Sequence, residues 1–358
     1  MLTLCTLFIT LSIHALQTYY DYSFYASSSY AEDPEIPAWV FTATGITMIA
    51  EYVLDGIDGT YARLTNQQSS VGEFLDHSGD ILRMTLVHPS AIYSLFGRED
   101  YGNTLEQMIQ TMLGTQLVVF LLFWLQYLSG RLFLPWVYDT GCLFIAGFFL
   151  YTGYMGSSFY WKTEPHKPYI DWDNAAIIRY GFYFVGLLIG IPMQLYYFIV
   201  ALRTCADSKI SSLISYQHAL WFVLLASCSQ LWCDQIKPMD EDPNCVVEHD
   251  PRMFLWALAF TFANIAASPI AERVLQKPPR FQPNILVILF VAETFIAVMI
   301  PSNLYWFKVW MLRVHVAIAL VVHIRFCLNT VRTLRKQSRK AKYDDITNGV
   351  NGMHYIYQ

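Results

Sequence analysis

Long apolar runs alternate with short charged connections from one end of the chain to the other. The clearest runs are Leu117–Leu128, Cys142–Tyr154, Phe182–Val200, Phe254–Ala267, Ile285–Pro301 and Trp310–Val322, each with apolar flanks. A helix needs about 20 apolar residues to cross the hydrocarbon core of a bilayer. Within that core every backbone N–H and C=O must be satisfied inside the span, and helices do this. The pattern predicts an all-α, polytopic membrane protein with about ten transmembrane helices. They are expected over residues 1–16, 38–54, 80–97, 108–128, 140–160, 177–201, 214–233, 253–271, 284–300 and 306–330.

The connections divide by charge. Asp21 to Glu35, Glu99 to Glu106, Glu164 to Asp173 and Asp234–Asp250 are acidic; Arg63, Arg131, Arg203 with Lys209, and Arg273 with Lys277 and Arg280 are basic. The C-terminal segment adds Arg332, Arg335, Lys336, Arg339, Lys340 and Lys342 to the basic set. Lys and Arg collect on the cytoplasmic side of spans, which places both termini and the segment 55–80 there and requires an even number of spans. The expected organisation is one membrane domain over 1–330 and a flexible basic tail over 331–358.

Composition sharpens this reading. Only 14% of the residues are charged and 55% are hydrophobic, where a soluble chain carries about a quarter charged; much of the surface must therefore meet lipid. The net charge of −5 identifies no partner, and nucleic acid is not expected. Seven cysteines without a Cys-x-x-Cys spacing give no metal framework.

One polar stretch carries chemistry: Asp55-Gly-Ile-Asp58-Gly59-Thr-Tyr-Ala62-Arg63, eight residues, then Gly72-Glu-Phe-Leu-Asp76-His-Ser-Gly-Asp80. Asp55, Asp58, Gly59 and Ala62 follow i, i+3, i+4, i+7 spacing, one stripe of a helix that prolongs the second span. Gly72, Asp76 and Asp80 recur every four residues on the helix that opens the third. The pair can present four carboxylates to each other at the membrane edge, with small residues that let a bulky group approach the backbone. Four crowded carboxylates resist ionising unless cations compensate. Oxygen ligands suit hard divalent ions bound through a few carboxylates and substrate phosphates. Two ions on a diphosphate would assist in-line displacement, and Arg63 can add a fork of donors for phosphate. The residues alone reach metal-dependent phosphoryl chemistry at a membrane surface.

The stretch resembles the signature of the CDP-alcohol phosphotransferase family, Asp-x2-Asp-Gly-x2-Ala-Arg-x8-Gly-x3-Asp-x3-Asp, at all eight fixed positions. Trp124 to Asp139 and His249 to Asn264 are similar to segments of the eukaryotic ethanolaminephosphotransferase branch. The resemblance implies that Asp55, Asp58, Asp76 and Asp80 hold Mg²⁺ or Mn²⁺, two ions in all. It implies Asp80 as the base, with His77 as rival, and Gly59, Ala62, Arg63, Asn66, Gly72 and Glu73 around the CDP moiety. It further implies CDP-ethanolamine and diacylglycerol as partners, giving phosphatidylethanolamine and CMP. The expected location is the endoplasmic reticulum or Golgi membrane, with the site facing the cytoplasm and a homodimer allowed. A choline or dual enzyme is the alternative, and a shortened, inactive regulatory or binding membrane protein is the alternative of another class. The chain departs from the family at Thr60-Tyr61, at Leu64 and in the order Asp76-His77-Ser78-Gly79-Asp80. Met1 stands inside the first span, so an N-terminally shortened chain is expected.

Two acids lie outside the signature. Glu51, one turn before Asp55, could extend the acidic cluster, and a place behind the ligands or at the interface is the favoured expectation. Glu293, within the ninth span, is either a functional intramembrane acid or the partner of His315, His323 or Arg325.

Overall fold

The computed structural model describes residues 36–89, 105–132, 136–156, 184–204, 213–234, 246–278 and 280–347, with a few isolated positions besides. The expected first span (1–16) lies largely outside these residues, as do the acidic connections at 21–35 and 164–173 and most of 234–250. The described residues are helical, without a strand. The main helices are α1 (Ala38–Leu64), α2 (Ser70–Leu82, prolonged by a π segment Arg83–Val87), α3 (Leu105–Ser129), α4 (Trp136–Met155), α5 (Ile191–Thr204), α6 (Gln217–Cys233), α7 (Pro251–Val274), α8 (Ile285–Met299) and α9 (Tyr305–Thr347). Four of them, at Ala38–Leu64, Leu105–Ser129, Pro251–Val274 and Tyr305–Lys340, are long and apolar enough to cross a membrane; α8 and the end of the π segment with α5 are shorter apolar helices. The described structure thus carries four spans of full length where the sequence suggests about ten. The other expected spans correspond here to shorter helices or lie wholly or partly outside the described residues. The tenth helix is also longer than expected. It continues through Arg332, Arg335, Lys336, Arg339 and Lys340 as part of α9.

The helix α7 is the hub. It packs against α2, α3, α6 and α9, and its buried residues include Ala257, Ala259, Ala263, Ala266, Ala267 and Ala271. Between lipid-embedded helices no water is released on contact, so close approach over small side chains supplies the attraction. Buried polar pairs reinforce it. His315 lies between α8 and α7, with Nδ1 2.7 Å from Glu293 Oε2 and Nε2 2.8 Å from Thr261 Oγ1. Glu293 is therefore an internal partner of His315. The buried Trp232 indole donates to Thr294 at 3.0 Å, and the exposed Arg313 reaches the buried Asp250 at 2.8 Å. Ile285, Phe295, Met299, Trp306, Trp310 and Val321 point outward, an apolar exterior that suits lipid rather than water.

The second packing unit is the pair α1 and α4, which brace each other along their length. A Cβ on Gly45 would stand 2.7 Å from Leu150 Cγ, and one on Gly153 would stand 2.8 Å from the Thr42 nitrogen. Both distances are below any real Cβ contact, so only glycine permits this approach. Nearer the polar end, Tyr52 donates to Asp139 Oδ1 at 3.1 Å. These contacts fix the helix that carries Asp55.

Candidate active site

The helix α1 ends on a defined stop. Asn66 adopts φ +53°, its N–H meets the Arg63 carbonyl at 3.3 Å, and the Gln67 N–H meets the Ala62 carbonyl at 2.9 Å. This paired closure is the Schellman arrangement, and Asn is among the few residues that accept the left-handed position. Ser69 then caps α2, its hydroxyl accepting the Gly72 N–H at 3.0 Å. The short connection turns the chain back, so the end of α1 and the start of α2 lie together.

The turn joins the acids. Carboxylate oxygens of Asp55, Asp76 and Asp80 all lie within 4.8 Å of one another. Asp58, one turn further along α1, is outside that trio, though its charge is felt by Asp55, Asp76 and His77. Asp76 Oδ1 is buried and accepts no hydrogen bond. Burial first, then the Asp55 and Asp58 carboxylates, push Asp76 up to about 7, against the pull of Arg83. An orphaned buried oxygen beside two further carboxylates fits a hard divalent cation, which would repay both the desolvation and the repulsion.

The sequence reading missed Arg83. Its side chain is 6% exposed, and its Nη2 donates to Asp55 Oδ1 at 2.6 Å while also pairing with Asp80 Oδ1. Its Nε stands 2.9 Å from Glu51 Oε1. Glu51, also buried, thus lies behind the acid trio and reaches it through a guanidinium. The π segment begins at Arg83, and such segments often mark functional positions. The detectable signal was a lone cation three residues after Asp80 in an otherwise apolar run.

The remaining expected residues occupy two places. Gly59, Ala62 and Arg63 lie on the last turns of α1, where the Arg63 guanidinium donates to Thr60 Oγ1 at 3.0 Å and the side chain is exposed. Gly72 and Glu73 lie on the first turn of α2. Glu73 is paired with Arg273 of α7, a second cation that the sequence showed only as part of a basic connection. His77 turns toward α3, its ring centroid 5.3 Å from that of Phe123. Burial lowers its pKa to about 4, although Glu73 and Asp58 oppose this. It is therefore a neutral imidazole at physiological pH, with a buried Nδ1 that has no hydrogen-bond partner.

Comparison with known proteins agrees with this geometry. The sequence profile described as CDP-alcohol phosphatidyltransferase matches residues 1–162, which contain the whole acid cluster. Ethanolaminephosphotransferase 1 of Mus musculus is 30% identical over 260 residues, covering 71% of this chain and 61% of that protein. The Homo sapiens protein of the same name is 29% identical over 254 residues, 70% of this chain and 59% of its own. Cholinephosphotransferase 1 of Danio rerio is 38% identical over a shorter stretch of 53 residues, 15% of this chain and 14% of its own. The chain spans about three fifths of the length of the ethanolaminephosphotransferases it matches. Enzymes of this kind act on CDP-alcohols and lipid acceptors and depend in general on divalent metal. Residues 1–162, with the whole acid cluster, thus form a domain of the CDP-alcohol phosphatidyltransferase family.

Proposed function

We propose that the protein is an ethanolaminephosphotransferase, transferring phosphoethanolamine from CDP-ethanolamine to 1,2-diacylglycerol to give phosphatidylethanolamine and CMP. The observation that carries this is the convergence of Asp55, Asp76 and Asp80 in a family signature, in a chain whose similarity to ethanolaminephosphotransferases extends over 260 residues. Asp55, Asp58 and Asp76 would hold Mg²⁺ or Mn²⁺, with Asp80 completing a second position. Bound there, divalent ions would neutralise the diphosphate and ease departure of CMP. Gly59, Ala62 and Gly72 leave room for the nucleotide beside the backbone, and Arg63, Asn66 and Glu73 surround it. Asp80 takes the proton of the diacylglycerol hydroxyl. The freed oxygen bonds to the phosphorus carrying ethanolamine as the P–O bond to CMP breaks. His77 is the alternative base, although the burial that keeps it neutral also weakens it as a proton acceptor. The reaction is proposed to occur at the cytoplasmic face of the endoplasmic reticulum or Golgi membrane.

A choline or dual specificity is the second reading, supported by the 53-residue match to a cholinephosphotransferase. Microsomes carrying this chain, supplied in parallel with labelled CDP-ethanolamine and CDP-choline, distinguish the two. Faster label transfer from CDP-ethanolamine supports the proposal, and faster transfer from CDP-choline overturns it in favour of the second reading. Absence of both products points to a binding or regulatory protein.

A further inference from the structure

We infer that Arg83 is a tethered cation that competes with the divalent metal for Asp55 and Asp80, and that Glu51 holds the guanidinium in reserve. The inference rests on reading the acid trio as a metal site, and it deepens that reading. One guanidinium nitrogen, Nη2, engages Asp55 Oδ1 and Asp80 Oδ1 together, oxygens of two carboxylates in the trio that fits a metal. A divalent ion seated on those carboxylates would meet the guanidinium's positive charge at close range, so the two cations compete for them. The other edge of the same group, Nε, stands against Glu51, which belongs to α1 one turn before Asp55 and takes no place in the trio. Arg83 is thus anchored both on acids of the trio and outside them, at Glu51. When a divalent ion takes Asp55 and Asp80, the guanidinium can retreat toward Glu51 without being left buried and unpaired, which would be costly. When the metal leaves, the guanidinium returns and offsets the repulsion among the acids. Arginine suits this role because its planar fork can serve two carboxylates at once and stays charged at every accessible pH.

The consequence is a pair of opposite effects on metal affinity. Arg83→Gln removes the competitor, so Mn²⁺ should bind more tightly. Glu51→Gln removes the reserve anchorage, commits the guanidinium to the trio and should weaken Mn²⁺. Groups just behind a metal site typically change affinity by roughly 10-fold to 100-fold, and the two shifts are expected at the lower end of that range. Arg83→Lys keeps the charge but not the fork, and should fall between wild type and Arg83→Gln. If Glu51 acts through the guanidinium, Glu51→Gln should have little further effect in the Arg83→Gln background, a coupling that a double-mutant cycle reads directly.

The test is a Mn²⁺ titration of the detergent-solubilised full chain, without nucleotide or lipid acceptor, reading free Mn²⁺ by electron paramagnetic resonance. Tighter binding in Arg83→Gln with weaker binding in Glu51→Gln supports the inference. Unchanged or weaker binding in Arg83→Gln overturns it. Should Arg83→Gln fail to give folded protein, Glu51→Gln decides: weakened binding supports the inference, and unchanged or tightened binding overturns it. Asp76→Asn, measured alongside, separates the layers. If wild-type binding is insensitive to Asp76→Asn, the metal-site reading itself fails. If Asp76→Asn abolishes binding while the Arg83 and Glu51 variants behave as wild type, only the role of Arg83 fails.

Discussion

At the scale of single residues the acids divide by what each would lose on substitution. Replacing Asp55, Asp58 or Asp76 by Asn keeps the shape and removes a charge the cation needs. Turnover should collapse, and excess Mg²⁺ should restore part of it, because weakened binding yields to mass action. Asp80→Asn should lose about 10² to 10⁴-fold in rate without such rescue if its main role is to take the proton. His77→Ala should be milder. Steady-state rates over a Mg²⁺ series check all of these, and near-normal turnover in Asp80→Asn with an inactive His77→Ala would reverse the assignment of the base. A pH effect belongs to Asp76. Burial and its acidic neighbours hold the folded carboxyl protonated up to about 7, whereas an unfolded aspartate ionises near about 4. Between those values the metal-free fold binds more protons than the unfolded chain. The stability that the neutral carboxyl contributes is therefore present below about 4 and lost as pH rises to about 7. The metal-free unfolding midpoint should fall across that window, the gain given by Mg²⁺ should grow across it, and Asp76→Asn should flatten both. A slope in Asp76→Asn equal to that of wild type would remove Asp76 as its source.

At the scale of helices, the site depends on how closely α1 is held. Gly45 and Gly153 leave no room for a methyl group between α1 and α4, and forced overpacking typically costs about 1–3 kcal/mol. Gly45→Ala and Gly153→Ala should lower the unfolding midpoint and activity together, because α1 carries Asp55. Gly147→Ala, where an added Cβ meets nothing within 4 Å, should leave both unchanged. A Gly45→Ala variant as stable and active as wild type would show that this contact does not position the site. The sequence revealed the site's two helices well, because carboxylates and small residues recur at helical spacing on both sides of the turn. It revealed the turn poorly. Asn66, which the family resemblance puts beside the nucleotide, has a further geometric duty as the left-handed stop of α1 that no sequence pattern announced. The pairing of Arg83 with Glu51 and of Arg273 with Glu73 was illegible for a different reason: the partners are 32 and 200 residues apart, and no local period links such positions. The π segments at Arg83–Val87 and Phe184–Gly190 were not legible either, since each lies in a run that reads as uniform α-helix.

At the scale of the whole molecule, the buried polar contacts sort along the bundle. The Glu73–Arg273 pair ties the first turn of α2 to the last turn of α7, and the acid trio with Arg83 lies further along α2, against α1. Arg63 in the last turn of α1 and Arg273 in the last turn of α7 belong to that region, and because Lys and Arg collect on the cytoplasmic side the proposed orientation turns it that way. A single cysteine introduced at Gln68 should react with an impermeant maleimide added from the cytoplasmic side of sealed microsomes. Labelling only after the lumen is opened would invert the topology.

The central claim is that the acid trio performs metal-dependent transfer from a CDP-alcohol to a lipid hydroxyl. Its most direct measurement is the formation of labelled phosphatidylethanolamine, with matching CMP, by the purified full chain supplied with CDP-ethanolamine and diacylglycerol. The account predicts product in one-to-one yield with CMP, abolished by a chelator, restored by Mg²⁺ or Mn²⁺, and absent in Asp76→Asn. Product that persists in Asp55→Asn, Asp58→Asn, Asp76→Asn and Asp80→Asn alike, or that forms undiminished in the presence of chelator, would contradict it.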